Sequence, residues 1–277
     1  MQHLRPYIRE RFSPLVMARF VLPSLFPQYE KLIVCDVDVV FTRDMSESYF
    51  SMNTDDPYYL AIVKEPTENT SSANVTELIK LYQMVTINAE KAPIPEHFLS
   101  PQQWQILSEN AFYIGFSVFN LKAWREDNLE EQCIEFFRHK GHRLCAPEQD
   151  TLVLLCHERA LKLPHIYDVC YGSSIVQDPK EVVMWHFSGD IKPWEPQNFY
   201  FHTTSLWIRA LLRTPLATTY FENYDRWLAD KDSKKLSPYL EPLLTKKVLC
   251  AYVLYKVQKI LKGWYTKLYF WWKLRKT

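Results

Sequence analysis

The sequence predicts an α/β fold, a mixed sheet flanked by helices, because short apolar runs alternate with longer amphipathic stretches. The runs Lys31–Cys35, Leu60–Val63 and Phe112–Leu121 have the length of strands and an apolar composition typical of buried ones. Only 5 of the 277 residues are glycine. That scarcity excludes the glycine-rich phosphate loops GxGxxG and GxxxxGK[ST] and the GxSxG nucleophile motif.

The first predicted element is a helix over Ser13–Phe26, where apolar residues recur at helical spacing and Pro14 occupies the first turn. The Lys31–Cys35 run follows, and its unbroken apolar character predicts a buried parallel strand. Leu60–Val63 predicts a second buried strand, and Thr76–Val85 predicts the next helix.

The second half of the pattern repeats this alternation. Phe112–Leu121 predicts a strand, Trp124–His139 an amphipathic helix, and Glu148–His157 the start of another helix. Val182–His186 predicts a short strand that runs into a loop, and from Ser205 onward the pattern is helical.

Charge and composition divide the chain into three regions: an α/β domain over 1–204, a helical extension over 205–241 and a basic, aromatic tail over 242–277. The tail contains nine of the 33 Lys and Arg residues and none of the 32 acidic ones, so the remainder carries a net charge of −8. Tryptophans and tyrosines alternate with the tail's lysines, which predicts a helix lying on an anionic membrane surface. The alternative is a helix packed on the body of the protein.

Composition and motifs also indicate which binding partners and cell compartments to expect. A net charge of +1 and the lack of a nucleic-acid motif predict no nucleic-acid partner. The 6 cysteines form no CxxC pair, as expected for reduced thiols. No signal peptide and no run of about 18 apolar residues is found. We therefore expect a cytoplasmic protein that is peripheral on the inner face of the cytoplasmic membrane.

Two carboxylates, Asp36 and Asp38, follow the first predicted strand. Residues i and i+2 of an extended segment share a face, and ligands of open α/β sheets bind at the carboxyl ends of the strands. Paired carboxylates repel each other unless a cation lies between them. A divalent ion that is also bound by substrate phosphates would satisfy this pair. The alternative is that one Asp caps the next segment and the other is solvated.

A phosphatase is a competing interpretation of this motif. An apolar strand followed by DxDx[TV] resembles the haloacid-dehalogenase-like phosphatases, which also need a distal acidic pair of the form GDxxxD. Gly189 and Asp190 would begin that pair, but Trp194 stands where its second acid is required. The distal half of a phosphatase site is therefore absent.

The segment from His186 to Trp194, His-Phe-Ser-Gly-Asp-Ile-Lys-Pro-Trp, favours nucleotide-sugar transfer. A neutral imidazole from His186 would complete a metal site begun by carboxylates. Gly189 would let backbone amides approach a phosphate closely, and Lys192 would place a positive charge on it. The alternative for His186 is a structural histidine.

Together these segments resemble glycosyltransferase family 8, the retaining GT-A enzymes that include bacterial lipopolysaccharide galactosyl- and glucosyltransferases. The similarity covers roughly Pro14–Trp194. It rests on five segments: Ala18–Phe20, Lys31–Asp44, Gly115–Trp124, Glu148–Asp150 and His186–Trp194.

The resemblance implies a metal site and a donor site. Asp36, Asp38 and His186 would bind Mn²⁺ (or Mg²⁺) that bridges the diphosphate of a UDP-sugar. Asp36 and Arg19 would also contact the donor.

The resemblance also implies roles for four residues later in the chain. Gly189 and Lys192 would hold the departing diphosphate. Gln149 would lie near the β face of the anomeric carbon, and Asp150 would position the donor sugar. These last two are the predicted catalytic residues.

The activity so implied is a metal-dependent hexosyltransferase with a GT-A-like catalytic domain over 1–204. The donor would be UDP-galactose or UDP-glucose. The acceptor would be a glycan or a lipid-linked glycan in bacterial lipopolysaccharide synthesis. The N-terminal nucleotide-binding strands of the family are expected to be lacking. The alternative is accordingly a truncated, catalytically inactive GT-A fold that binds a membrane or a partner.

Overall fold

The computed structural model describes residues 14–64, 75–90, 97–171, 178–189, 192–195 and 205–231. The chain forms two compact units, 1–192 and 193–277. The regions drawn from the sequence, 1–204, 205–241 and 242–277, stay predictions. The predicted membrane-binding tail, 242–277, lies outside the described residues.

Two sheets make up the β-structure of the described part of the first unit. The four-stranded sheet has the order β1-β4-β3-β5, with β1 Lys31–Cys35, β3 Leu60–Lys64, β4 Phe112–Asn120 and β5 Ala160–Leu163. The three-stranded sheet has the order β2-β7-β6, with β2 Val39–Phe41, β6 Val169–Cys170 and β7 Met184–His186. Strand β4 is antiparallel to both its neighbours, whereas β3–β5 and β6–β7 are parallel pairs.

Most of the described helices alternate with these strands along the chain, and the last two come after the final strand. In the first unit they are α1 Leu22–Leu25, α2 Ser46–Phe50, α3 Val75–Glu90, α4 Pro101–Glu109, α5 Leu121–Glu126, α6 Leu129–Lys140 and α7 Pro147–Cys156. Short 3-10 segments cover Pro14–Val21, Gly141–Arg143, His157–Arg159 and His165–Tyr167. In the second unit they are α8 Ser205–Leu211 and α9 Ala217–Lys231. None of the helices in the described part of the chain is both long and apolar enough to cross a bilayer.

Three local predictions need correction. Strand β1 is antiparallel to β4 rather than parallel, and it is half-buried with Cys35 exposed rather than buried, because it lies at the edge of the larger sheet. An unbroken apolar run carries no information on strand direction. The predicted helix over Ser13–Phe26 is a 3-10 segment followed by the single turn α1, since Pro23 has no N–H for a continuous α-helix. The helix predicted over Trp124–His139 is two helices that meet at Asn128, which takes a left-handed backbone conformation with φ 52°.

Strand β3 shows how the core is built on both faces of the larger sheet. Leu60 and Ile62 pack into one apolar cluster with the helices, including the fully buried Trp124 of α5. Ala61 and Val63 pack into a second cluster with residues of the smaller sheet. Because successive strand residues point to opposite faces, one apolar strand can support both clusters.

The segment between β1 and β2 carries the chain from the larger sheet to the smaller one. At its start, the Asp36 N–H donates a hydrogen bond to the Gly115 carbonyl of β4, at 2.9 Å. At its end, the Asp38 carbonyl accepts one from the N–H of Phe187, at 2.8 Å. Val39 of β2 then pairs with His186 of β7. Backbone pairing therefore fixes both aspartates and His186 at the junction of the two sheets.

Candidate functional site

Three potential metal ligands converge at this junction. Asp36, Asp38 and His186 each offer one ligand atom, and these atoms lie within 4.8 Å of one another. His186 Nε2 lies 3.5 Å from Asp36 Oδ2 and 3.4 Å from Asp38 Oδ1. Val37, between the aspartates, is 94% exposed, as expected when its two neighbours share the opposite face. The structure thus brings together the three residues that the sequence analysis assigned to one cation.

His186 is held on its other edge by Asp168, a residue that the sequence analysis did not single out. Asp168 is fully buried, and its Oδ1 lies 2.9 Å from His186 Nδ1. Its Oδ2 accepts a hydrogen bond from the Phe116 N–H at 3.0 Å. Gly115 packs against both groups, and a Cβ at this position would overlap the imidazole and the carboxylate. The Nδ1 edge of His186 is therefore fixed inside the protein while Nε2 faces the two aspartates.

Lys192 lies against Asp38, and Gly189 follows His186 by three residues. Lys192 Nζ forms an ion pair with Asp38 Oδ2 and donates a hydrogen bond to the Phe187 carbonyl at 3.0 Å. Gly189 has φ +97°, a left-handed conformation that glycine adopts without the steric cost of a Cβ. Lys192 thus places a positive charge against Asp38 on the segment that follows β7.

Arg19 connects the 3-10 segment to the site through two carboxylates. Its Nη2 donates to Asp36 Oδ1 at 2.6 Å, and its Nη1 donates to Glu148 Oε1 at 2.7 Å. The side chains of Arg19 and Glu148 are only 7% and 8% exposed. Glu148 stands at the start of α7, in the segment that suggested Gln149 and Asp150, but the sequence analysis gave it no role.

The two predicted catalytic residues lie next to Glu148 in the first turn of α7. Gln149 is half-buried. Asp150 Oδ2 accepts hydrogen bonds from the Tyr82 hydroxyl and, at 2.9 Å, from the Ala146 N–H. These contacts tie Asp150 to the beginning of its own helix and to α3. The catalytic assignments of Gln149 and Asp150 stay predictions.

The surroundings shift the ionisation of three of these groups. Burial disfavours the charged form of His186, but hydrogen bonds to Asp168 and Asp38 and their negative charges outweigh it and raise its pKa to about 10. Burial likewise opposes ionisation of Asp38, yet His186 and Lys192 lower its pKa to about 2. For Glu148 burial prevails over the Arg19 charge and raises the pKa to about 7.

We call the group formed by Arg19, Asp36, Asp38, Glu148, Asp168, His186 and Lys192 the site cluster. Within it, four carboxylates face two permanently charged cations, and a protonated imidazole supplies a third positive charge. A divalent cation bound at Nε2 would displace that proton and take over its role. Two carboxylates and one imidazole fit Mn²⁺ or Mg²⁺, with Asp168 as the outer partner of the histidine.

Two of these residues could have been found from sequence signals. Asp168 is an acid within the otherwise apolar run Ile166–Cys170, and Glu148 precedes two further polar residues at a helix start. Neither signal shows which side chain the acidic residue contacts. The contact of Asp168 with His186 depends on the parallel pairing of β6 with β7.

Comparison with known proteins gives a family-model match over residues 4–198, described as glycosyl transferase family 8. Glycosyltransferase 8 domain-containing protein 1 of Bos taurus is 27% identical over 222 residues, which cover 74% of this chain and 57% of the relative. Glycosyltransferase 8 domain-containing protein 2 of Homo sapiens is 25% identical, over 67% of this chain and 55% of the relative. The chain thus spans about half the length of the curated relatives it matches.

Among solved structures, the apo form of the bifunctional glycosyltransferase WbbM is similar, with a TM-score of 0.52 and 22% identity. The similarity covers 76% of this chain and 37% of WbbM. This likeness concerns the fold, and it confirms the GT-A-like mixed sheet flanked by helices.

Proposed function

Because the chain belongs to glycosyl transferase family 8, we propose that it transfers a hexose from a UDP-sugar to an acceptor hydroxyl in a metal-dependent, retaining reaction. The observation that carries the proposal is the convergence of Asp36, Asp38 and His186 within 4.8 Å. The aspartates and the histidine are far apart in the sequence, and two different sheets hold them.

In the proposed complex, Asp36, Asp38 and His186 would hold the divalent cation, Mn²⁺ or Mg²⁺. The cation would neutralise negative charge on the donor diphosphate. Lys192, whose Nζ already lies against Asp38, would add a second positive charge to the same diphosphate. Gly189 would leave room for the phosphates because no side chain projects from its exposed turn.

On the sugar side, Arg19 and Asp36 are proposed to contact the donor. Their ion pair fixes both side chains, and the Arg19 bond to Glu148 holds the guanidinium from the other side. Such preorganisation lowers the cost of orienting the donor. Asp150 is proposed to position the sugar, and Gln149 to lie near the β face of its anomeric carbon.

We propose front-face attack rather than a covalent glycosyl-enzyme, since Gln149 is a poor nucleophile. The acceptor oxygen forms a bond to the anomeric carbon as the bond from that carbon to the phosphate oxygen breaks. The acceptor proton passes to the departing phosphate oxygen, so no separate general acid is needed.

UDP-galactose and UDP-glucose are the proposed donors, and a glycan or lipid-linked glycan of bacterial lipopolysaccharide synthesis is the proposed acceptor. The basic tail, 242–277, would bring the enzyme to an anionic membrane surface where lipid-linked acceptors lie, at the inner face of the cytoplasmic membrane. Flotation with phosphatidylglycerol-containing vesicles tests this. We expect the full chain to float and a chain ending at Glu241 to stay behind, and equal flotation of both would refute the tail's role.

Isothermal titration of the full chain with UDP, with and without Mn²⁺, tests the central proposal. We expect UDP to bind tightly only when Mn²⁺ is present. Hydrolysis of UDP-galactose or UDP-glucose, suppressed by EDTA, would then establish turnover. Binding of neither Mn²⁺ nor UDP would refute the proposal and favour the non-catalytic alternative.

A further inference from the structure

We infer that Asp168 is a positioning residue for the cation: it fixes the ring of His186 in the one tautomer whose Nε2 is free to bind a metal ion. The inference rests on the proposed metal-dependent function. It adds a residue outside the predicted ligand set.

The geometry assigns different tasks to the two carboxylate oxygens of Asp168. Oδ1 faces His186 Nδ1 at 2.9 Å, whereas Oδ2 accepts the Phe116 N–H at 3.0 Å. A carboxylate accepts at both oxygens, so it can hold a protonated Nδ1 and the backbone N–H together. With its proton on Nδ1, an otherwise neutral imidazole has its lone pair on Nε2.

Nε2 is the ring nitrogen that faces the other two ligands. It lies 3.5 Å and 3.4 Å from carboxylate oxygens of Asp36 and Asp38. A ring rotation or the opposite tautomer would put a C–H or an N–H toward the cation. Asp168 thus acts on the metal through His186 and does not itself belong to the group of three ligands.

The side chains of Asp168 and His186 have little room to move. Asp168 is fully buried and His186 is 9% exposed. Gly115 lies against both, so closely that even a methyl group would overlap them. The imidazole is therefore confined between the glycine backbone and the carboxylate.

Asp168→Asn is the most informative variant because it preserves the shape of the side chain. An asparagine offers one acceptor oxygen and one NH₂ donor in place of two acceptors. If its oxygen accepts from Phe116, its NH₂ group faces Nδ1 and favours the tautomer with the proton on Nε2. If its oxygen accepts from His186, its NH₂ group meets the Phe116 N–H. The second arrangement sets two N–H donors against each other in a fully buried position, so we expect the first, in which His186 loses its Nδ1 proton.

We expect Asp168→Asn to weaken Mn²⁺ binding about 10- to 100-fold, the range found for outer partners of metal-bound histidines. The measurement is Mn²⁺ titration followed by electron paramagnetic resonance on the full chain. Asp127→Asn is the matched control, since Asp127 pairs with Tyr59 and Arg159 outside the site cluster. It should bind Mn²⁺ like the wild type.

A double-variant cycle separates positioning from a general effect on the fold. In a His186→Gln background, Asp168→Asn should change the residual Mn²⁺ affinity by less than about twofold, because the group it acts through is gone. An equal loss in both backgrounds would overturn the inference. So would an unchanged affinity of the single variant.

A measurement on the wild type covers the case in which Asp168→Asn does not fold. Nitrogen-15 spectra of the Mg²⁺-loaded chain, assigned by comparison with His186→Gln, should show His186 protonated at Nδ1 and not at Nε2. A proton on Nε2 would overturn the inference. Failure of the wild type to bind Mn²⁺ would refute the proposed function itself, whereas Mn²⁺ binding that is insensitive to Asp168→Asn refutes only this inference.

Discussion

Two groups of charged side chains in the first unit contain similar residues but differ in their charge balance. The outer cluster consists of Tyr59, Asp127 and Arg159. Its tyrosine hydroxyl donates to Asp127 Oδ2 at 2.9 Å, and Arg159 pairs with the same carboxylate while its guanidinium lies 3.9 Å from the centre of the Tyr59 ring. The Arg159 and Asp127 side chains are 35% and 42% exposed. One permanent cation neutralises one carboxylate.

The site cluster is both more buried and less balanced. His186 and Asp38 are each 11% exposed at the side chain, and Asp168 is 0% exposed. With all four carboxylates ionised, Arg19, Lys192 and a protonated His186 leave one negative charge, whereas a divalent cation in place of that proton would give neutrality. Burying surplus negative charge contributes poorly to stability. The two clusters therefore differ in charge balance and burial, and not in whether they contain ion pairs.

The strongest test of this contrast removes one carboxylate from each cluster. Asp38→Asn should reduce Mn²⁺-dependent UDP-sugar hydrolysis at least about 100-fold, because a metal ligand is lost. Asp127→Asn should leave hydrolysis unchanged. Steady-state assays on both variants, with circular dichroism to confirm folding, check this. Full activity of Asp38→Asn would contradict the metal site.

The next test breaks the buried ion pairs of Arg19. Arg19→Met leaves Glu148 without its cation in an apolar environment, and we expect the free energy of unfolding to fall by about 3–5 kcal/mol. Adding Glu148→Leu should recover most of that loss, since the uncompensated group is then removed as well. Urea unfolding of the single and double variants measures the difference. A double variant as unstable as Arg19→Met would show that the charge of Glu148 is not the cause.

A smaller loss of stability and of Mn²⁺ affinity is expected when a larger neighbouring residue crowds His186. Gly115→Ala would push a methyl group into the imidazole and Asp168, so we expect weaker Mn²⁺ binding and a loss of about 1–3 kcal/mol in unfolding free energy. Gly141→Ala is a matched control, because its methyl group would overlap the Phe137 ring away from the site. It should lower stability without changing Mn²⁺ affinity. An equal change of Mn²⁺ affinity in both variants would contradict a specific effect of Gly115→Ala on His186.

The smallest effect on stability is expected from a substitution in the outer cluster. Tyr59→Phe removes the hydroxyl that Asp127 and Arg159 share but keeps the ring on which the guanidinium rests. Exposed pairs of this kind contribute little to stability. We expect a slight decrease in Tm and unchanged Mn²⁺ affinity in thermal unfolding and titration experiments. A change in Mn²⁺ affinity would show that the two clusters are coupled.

Local patterns predicted four of the seven strands of the described residues and missed the short strands β2, β5 and β6. Leu60–Val63 and Phe112–Leu121 correspond closely to β3 and β4, because burial on both faces leaves a clear apolar run. The break at Asn128 was not predicted, since the amphipathic pattern continues through it and a single left-handed residue is enough to divide the helix. Strand direction was predicted wrongly for β1, since direction depends on which partner the strand meets.

By itself, the sequence determined the chemistry of the site: two carboxylates after a strand, and a histidine followed by a glycine and a lysine. Residue types and short spacings are local properties, so they could be read before any fold was known. Only the tertiary structure decided that Asp168 stands behind His186 and that Arg19 joins Asp36 to Glu148. Those contacts join residues from separate segments of the chain, and their distances are set by strand pairing and core packing rather than by sequence spacing.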